Sequence, residues 1–221
     1  MKMPEAPVPP ESTTGPTTST RELILQAAVE LFAQRGYHAT SMREIAAAVP
    51  LRAAGIYYWY DNKAAILLQL ERSFLDELSA AVEQSVARQK TPASKLAAAV
   101  REHVLFHGLY PRAAFVTDSE LRALSGEDRD EIQHKRDTYQ TMFIAMIQDG
   151  VDAGVFKTSD VRIASYAILL ECTGVAIWFD PAGSRSIEEV ANIHTELVLG
   201  SLFAPRSLIT KAIRDTNSRA R

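Results

Sequence analysis

Four aromatic residues stand in a row at Tyr57, Tyr58, Trp59 and Tyr60, directly after the small-residue stretch Ala53-Ala54-Gly55. They cannot all face one core, because helical neighbours are rotated by about 100° and strand neighbours alternate between faces. With Ile56 and Tyr60 turned inward, four apart, Tyr57 and much of Tyr58 and Trp59 point outward. An outward tyrosine offers a hydroxyl donor on a flat apolar ring, which suits a phosphate oxygen beside a sugar. Arg43, Arg52 and Lys63 add cationic donors within the same stretch. Elsewhere, residues able to do chemistry are sparse. His103 and His107 have the i, i+4 spacing of two metal ligands, but no clear carboxylate or thiol completes a set, so no metal site is assigned. Cys172 is the only cysteine, which excludes an internal disulfide and, within an apolar helix, reads as packing. No glycine-rich phosphate loop and no nucleophile-base pairing stands out, so no catalytic residue is named.

The chain has 221 residues, of which 47% are hydrophobic, enough for a two-part globular protein. Its formal net charge of −3 gives no global polyanion-binding signature, so any nucleic-acid contact has to come from a local arrangement. The longest apolar run, "YAILLECTGVAIWF", is interrupted by Glu171 and is short for a bilayer span. With no segment resembling a signal peptide, the expectation is a cytoplasmic protein without membrane contact.

Residues 1–19 contain Pro4, Pro7, Pro9, Pro10 and Pro16 among serines and threonines and are expected to form a disordered arm. From Arg21, apolar residues Ile24, Ala27, Ala28 and Leu31 recur at helical spacing, and Gly36 stands where a left-handed cap would close the helix. Ser41 followed by Glu44 forms a capping box for a second helix, which Pro50 must end. A third short helix runs from Arg52 to Tyr60. A longer one starts at Asp61 or Asn62, and Thr91-Pro92 opens the next. After a break at Pro111 come a short helix to about Leu124 and a long one from Glu127 to Ala153, closed by Gly154. Ser159 can cap a helix from Asp160 to Phe179, and Ser186 with Glu189 makes a second capping box. The basic tail, 206–221, is expected to be flexible. The class is all-α, with about nine helices and no strand.

Two short helices joined by a tight break and braced by a third form a helix-turn-helix, whose second motif helix enters the DNA major groove. Residues 20–80 resemble the DNA-binding domain of TetR-type transcriptional repressors, through "ILQAAVELFAQRGYHATSMREIAAAV" and "GIYYWYDNKAAIL" in the family's order and spacing. The resemblance implies a homodimer bound to double-stranded palindromic operator DNA. In that arrangement Arg43 reaches base edges or phosphate, while Arg52, Ala53, Ala54 and Gly55 face the groove. Tyr57 holds phosphate beside Tyr58 and Trp59, Lys63 does so from the next helix, and Thr40 and Ser41 add a further phosphate contact. The sequence departs from the family pattern at Pro50, Ala53, Gly55 and Trp59, where glycine, lysine, serine or threonine, and histidine are usual. Between Arg35 and Lys63, four basic residues face only Glu44 and Asp61, so non-specific affinity should be modest.

Residues 81–205 resemble the family's ligand-binding and dimerisation domain more loosely. "CTGVAIWFDPAGSRSIEEV" is similar to the corresponding stretch in repressors of fatty-acid and sterol breakdown. The helix from Asp160 to Phe179 is apolar almost all round and needs cover on two sides, which a pocket and a partner subunit would supply. Val190, His194, Leu197, Val198 and Ser201 are the expected dimer face of the last helix. Candidate pocket residues are Phe106, His107, Tyr110, Phe115, Tyr139, Phe143, Leu169, Thr173 and Trp178. No cofactor is expected beyond a small apolar effector, with an acyl-thioester as the first guess. The competing class is a helical enzyme or ligand-binding protein that keeps a helix-turn-helix without regulating DNA.

Overall fold

The computed structural model describes residues 19–49 and 53–219, so the expected arm, apart from Ser19, and Arg52 lie outside the described residues. The first helix, α1 (Thr20–Arg35), opens on a capping box that the sequence reading had not singled out. Ser19 Oγ accepts from the Glu22 amide, and Glu22 Oε2 accepts from the Ser19 amide. At its end Gly36 has φ 81° and ψ 156°, an extended conformation open essentially only to glycine rather than the left-handed cap expected. The predicted Ser41/Glu44 box is present at the start of α2 (Met42–Ala47). The segment after it, Ala53–Tyr58, is a 3-10 helix where a short α-helix was expected. Gly55 and a run of aromatics are weak α-formers, and while Ile56 is fully buried Tyr57 and Tyr58 stand exposed, so little holds a full α-turn there.

Asn62, not Asp61, caps α3 (Lys63–Ala87) by accepting from the Ala65 amide at 2.9 Å. Thr91 and Pro92 start α4 (Pro92–Leu109) as expected. A break at Tyr110 leads into α5 (Pro111–Glu120), followed by a 3-10 turn over Leu121–Ala123 and then α6 (Gly126–Asp152). Asp160 rather than Ser159 caps α7 (Val161–Thr173), taking the amides of Arg162 and Ile163 on one carboxylate oxygen. The single helix expected to reach Phe179 is divided at Gly174, beyond which lies α8 (Val175–Trp178). The Ser186/Glu189 box opens α9 (Ile187–Ser201), and Arg206–Arg219 forms α10. Ten α-helices and two 3-10 segments, with no strand, make up the described residues.

The helices enclose two apolar cores. The first holds Ile24, Phe32, Ile45, Ile56 and Leu67 from the N-terminal helices, together with Val116, Leu124 and Ile132 from beyond residue 80. The second surrounds α4, whose Leu96, Ala97, Ala98, Ala99 and Val100 are all fully buried, as a helix apolar on every side must be. Gly108 permits the close crossing of α4 and α9, since a Cβ there would sit 2.1 Å from Ile187 Cδ1. Three helices enter both cores: α3 gives Leu67, Leu70 and Leu75 to the first and Phe74, Leu78 and Val82 to the second, α5 gives Val116 and Ala114 in the same order, and α6 gives Ile132 to the first and Tyr139 and Phe143 to the second.

The tail is a correction. Over Arg206–Arg219 it is a helix docked on α4 and α9, with Ile209, Ala212 and Thr216 buried at i, i+3 and i+7. Its basic residues obscured that stripe in the sequence. Ile209→Ala should therefore lower stability in urea unfolding by about 2 kcal/mol or more, the cost of truncating a buried isoleucine. A frayed tail would give no change in midpoint.

Candidate functional site

The exposed aromatics lie where Ile56 and Tyr60 leave them. Ile56 is fully buried and Tyr60 nearly so, while Tyr57, Tyr58 and Trp59 keep 55, 83 and 43% of their surface. Tyr60 is pinned from α1: Arg21 Nε donates to its hydroxyl at 3.1 Å, and Arg21 Nη2 continues to Gln69 Oε1 at 2.7 Å. Tyr58 and Trp59 meet edge to face at 5.2 Å. Ser41 and Arg43 are exposed on the preceding helix, and Gly55 is half-buried at the 3-10 turn that Ala53 begins. Arg35 is exposed but paired with Glu44 at 3.1 Å. Hydroxyls, one indole and a free-standing guanidinium thus share the outer surface of a helix-turn-helix, a surface suited to phosphate and groove contact.

Two expected phosphate contacts are placed otherwise. Lys63 turns inward, donating from Nζ to the carbonyls of Tyr37 and Thr40 at 2.5 and 2.6 Å, with the ammonium 4.2 Å from the Tyr37 ring centroid. Those carbonyls sit in the link between α1 and α2, which no helix ladder satisfies, so Lys63 closes the motif. Thr40 is buried, and its hydroxyl donates to the Gly36 carbonyl at 3.0 Å. Ser41 remains exposed as the α2 cap.

A cavity of about 250 Å³ opens between α3, α4, α5, α6 and α7. Of the expected pocket residues it brings together His107, Tyr139, Leu169 and Thr173. The others do not line it. Phe106 and Phe143 are core residues, Phe106 packing edge-on against Phe74 at 5.2 Å and Phe143 against His103. Tyr110 and Phe115 are on the surface, and Trp178 is exposed beside His194, 6.1 Å away and nearly parallel. Helical spacing identifies apolar faces but not which neighbour each face meets. The cavity walls that the pocket list missed include Phe74, Leu78, His103, Thr117, Asp118 and Arg136.

The polar lining is a connected network. His103 bonds Tyr139 Oη through Nδ1 at 2.9 Å and Thr173 Oγ1 through Nε2 at 3.1 Å. Its ring stacks on His107 with centroids 4.1 Å apart, and His107 Nδ1 lies 2.9 Å from the His103 carbonyl. That carbonyl can only accept, so the His107 proton sits on Nδ1. Burial lowers the pKa of both rings, His107 to about 4, and the mutual repulsion of two imidazolium charges lowers His103 further. The pair is neutral at pH 7 and stacked rather than convergent. Among the described residues, no group of three His, Cys, Asp or Glu side chains gathers as a metal set. Cys172 is fully buried, and burial pushes its thiol well above the ordinary range.

On the far wall Arg136 is shared. Nη2 donates to the Thr117 carbonyl at 2.7 Å and lies 3.4 Å from Glu71 Oε2, while Nη1 lies 3.5 Å from Asp118. Glu71 is fully buried at a position in α3 that follows the apolar spacing of Leu67, Phe74 and Leu78. A charged residue at a core position was the signal available in the sequence. Burial raises its pKa to about 7, Arg136 offsetting part of the rise and Asp118 adding to it. Besides lining the cavity through Thr117 and Asp118, α5 is tied to the helix-turn-helix. Glu120 Oε1 accepts from the Tyr37 amide at 3.2 Å, and Arg112 pairs with Glu30 of α1.

A third feature is an apolar face. Ile163, Tyr166 and Leu170 of α7, Ile177 and Trp178 of α8, and Ile193 and Leu197 of α9 are all exposed. Val161–Trp178 is long and apolar enough to cross a membrane, yet only 22% of it is buried. The expected α9 face is shifted: Val190, His194 and Val198 are buried inside this chain, and Ile193, Leu197 and Ser201 form the outer stripe.

Comparison with known proteins meets this architecture at both ends. Residues 24–70 match the family described as bacterial regulatory proteins, tetR family, and 89–202 match the tetracyclin repressor-like C-terminal domain. The chain is 28% identical over 202 residues to the HTH-type transcriptional repressor KstR2 of Rhodococcus jostii, covering 90% of this chain and 98% of that one. It is 29% identical to the fatty acid metabolism regulator protein of Bacillus subtilis over 66% of this chain and 75% of that protein. The crystal structure of AibR in complex with isovaleryl coenzyme A and operator DNA superimposes with a TM-score of 0.75 at 26% identity, covering 85% of this chain and all of that one.

Tyr57→Phe removes one exposed hydroxyl and keeps the ring, so it should weaken operator binding by about 0.5–3 kcal/mol with no change in melting temperature. Lys63→Ala should instead lower the melting temperature, because the Thr40 carbonyl loses its ammonium donor and the Tyr37 carbonyl keeps only the Thr40 amide. A phosphate-bound lysine would leave stability alone and reduce the salt dependence of binding by about one counterion per site. A third expectation concerns pH. Glu71 keeps its proton in the folded chain up to about pH 7, whereas in the unfolded chain it loses it near 4.5. The folded state therefore loses stability as pH rises between those values. Urea midpoints of Glu71→Gln relative to the parent should rise from pH 5 to pH 8, and a constant difference would contradict the assignment.

Proposed function

Because the chain belongs to the TetR family of bacterial regulatory proteins, a family of DNA-binding transcriptional regulators rather than enzymes, we propose that it is a homodimeric repressor released from palindromic operator DNA by a small effector. The observation that carries this is the outward set Tyr57, Tyr58 and Trp59 above a buried Ile56 and Tyr60. A helical enzyme would have no need to expose three large aromatics on a helix-turn-helix. Its place of work is the cytoplasm, where the operator is.

The apolar face on α7, α8 and α9 is the proposed dimer surface. A second copy of the same face covers Leu170, Ile177 and Leu197 and sets the two DNA-reading segments about 34 Å apart, one helical turn of DNA, or a multiple of that. The cavity is the proposed effector site. At about 250 Å³ it lies below the usual range for whole drug-sized ligands, so an acyl-thioester would insert its acyl group and leave its carrier outside. The complex of AibR with isovaleryl coenzyme A supports a short acyl group as the first candidate. Filling the cavity presses on Phe74 and Leu78 of α3 and on Thr117 of α5, the two helices that also hold the helix-turn-helix. A ligand that favours a different setting of those helices changes the spacing of the reading segments and lowers DNA affinity.

The test is gel retardation of the DNA upstream of the protein's own gene, with sedimentation at micromolar concentration and titration with isovaleryl coenzyme A. The expected results are a dimer, a retarded inverted repeat whose affinity falls with salt, and release by the thioester. A monomer that binds isolated half-sites overturns the dimer. Failure of the thioester alone overturns only the effector class. Glu120→Ala, which frees the Tyr37 amide, should leave thioester binding intact and reduce its effect on operator affinity. Equal release by parent and variant would remove α5 from the coupling.

A further inference from the structure

The cavity presents an acceptor that no protein group answers. His107 is 2% exposed and lines the cavity, edge-on to Phe74 at 5.4 Å. Its Nδ1 proton is committed to the His103 carbonyl, which leaves the Nε2 lone pair as its only remaining polar atom. Among the described residues no donor is bonded to Nε2. His103 beside it differs, since both its nitrogens are engaged by Tyr139 and Thr173. On α6, Gln140 also lines the cavity and has a buried Nε2 with no acceptor.

From this geometry we propose that the portion of the effector held in the cavity carries a hydroxyl group, which donates to His107 Nε2. This rests on the cavity being the effector site. A plain hydrocarbon filling the same space would leave a buried acceptor unsatisfied. An anion is disfavoured as well, because Arg136 is already paired with Asp118 and donates to the Thr117 carbonyl, so an added carboxylate would meet the Asp118 charge. An ammonium ion would have to leave water for a wall whose Asp118 is matched to Arg136 and whose other acid, Asp137, is exposed and accepts from Gln133. A hydroxyl is the small neutral group that gives His107 its donor and can accept from an amide such as that of Gln140. A hydroxy-acyl group is thus the class held most tightly, ahead of a simple alkanoyl group such as isovaleryl.

The experiment uses four small aromatic probes, phenol, anisole, toluene and benzylamine, on the full chain labelled with nitrogen-15 in histidine. Each is small enough for the space, since an apolar cavity of about 150 Å³ admits benzene. Titration calorimetry should find phenol binding about threefold to tenfold more tightly than toluene or anisole, the worth of one neutral hydrogen bond. The His107 Nε2 resonance should shift upfield with phenol alone, as an accepted hydrogen bond requires. In His107→Phe the preference for phenol over toluene should vanish. Toluene or benzylamine binding as tightly as phenol, an unmoved Nε2 resonance, or a preference that survives in His107→Phe each overturns the hydroxyl assignment while leaving the cavity as a ligand site. The parent-chain resonance decides the matter even if the variant does not fold. If no probe binds but isovaleryl coenzyme A still releases the operator, the hydroxyl assignment falls and the proposed function stands. If the thioester also fails, the effector site falls with it.

Discussion

The constraint on which the rest depends is that three helices, α3, α5 and α6, belong to both hydrophobic cores. Helix α3 runs 25 residues, about 37 Å at the α-helical rise, and its buried side chains change allegiance between Phe74 and Leu75. Close-packed cores resist continuous deformation. A shift of α3 imposed on one core therefore reaches the other as movement of a rigid rod. At the near end Lys63 bonds the carbonyls of Tyr37 and Thr40, so the rod is fastened to the link between α1 and α2. At mid-length it carries Glu71 into the wall of the cavity region, against Arg136. The second strut, α5, runs beside it from the cavity residues Thr117 and Asp118 to Glu120, which holds the Tyr37 amide. Both struts end on the same tyrosine, one on its amide and the other on its carbonyl. The helix-turn-helix is positioned by what happens around the cavity as much as by its own core.

The cavity itself is electrostatically quiet for a reason visible in its walls. Burial has already discharged the two histidines, Arg136 pairs with Asp118 and with Glu71, which keeps its proton up to about pH 7, and Asp137 is exposed and accepts from Gln133. What is left open is directional hydrogen bonding rather than charge. Orientation of a ligand in such a site comes from a few placed donors and acceptors on an otherwise apolar surface. Phe74, Leu78 and Leu169 supply that surface here. The buried acid Glu71 has one oxygen without a hydrogen-bond partner, which makes its junction a place where small rearrangements of Arg136 change stability.

How much of this was legible in the sequence varied with the range of the interaction that decides it. Capping boxes at Ser41 and Ser186 and the Thr91-Pro92 start were readable because their partners lie three residues away. The inward placement of Ile56 and Tyr60 followed from spacing alone, and with it the exposure of Tyr57. Lys63 was misplaced because a lysine at a helix start looks solvated from its neighbours; its acceptors, Tyr37 and Thr40, come from a turn more than twenty residues earlier. The same limit separated the pocket residues. His107 and Tyr139 share the cavity, whereas Phe106, next to His107 in sequence, points about 100° away into packing against Phe74. In α10 the buried stripe of Ile209, Ala212 and Thr216 is only three residues wide among charges, too thin to stand out before α4 and α9 were present to cover it.

The apolar surface of α7, α8 and α9 closes the physical account. A single chain that leaves Leu170, Ile177 and Leu197 more than half exposed has a patch of the kind soluble monomers rarely keep. Of these helices α7 bounds the cavity on one side, since Tyr166, with half its surface exposed, also lines the cavity beside Leu169 and Thr173. A helix that is wall to the cavity on one flank and carries an exposed apolar face on the other cannot respond at one without altering the other. The break at Gly174 limits how far a disturbance runs, because α7 ends there and the short α8 turns away with Trp178 against His194. In the proposed dimer, the subunit contact and the cavity are thus linked through α7, much as the cavity and the helix-turn-helix are linked through α3. For the proposed dimer, whose two DNA-reading segments must match a fixed helical repeat, that places the control of spacing in the helices between the cavity and the apolar face rather than in the helix-turn-helix itself.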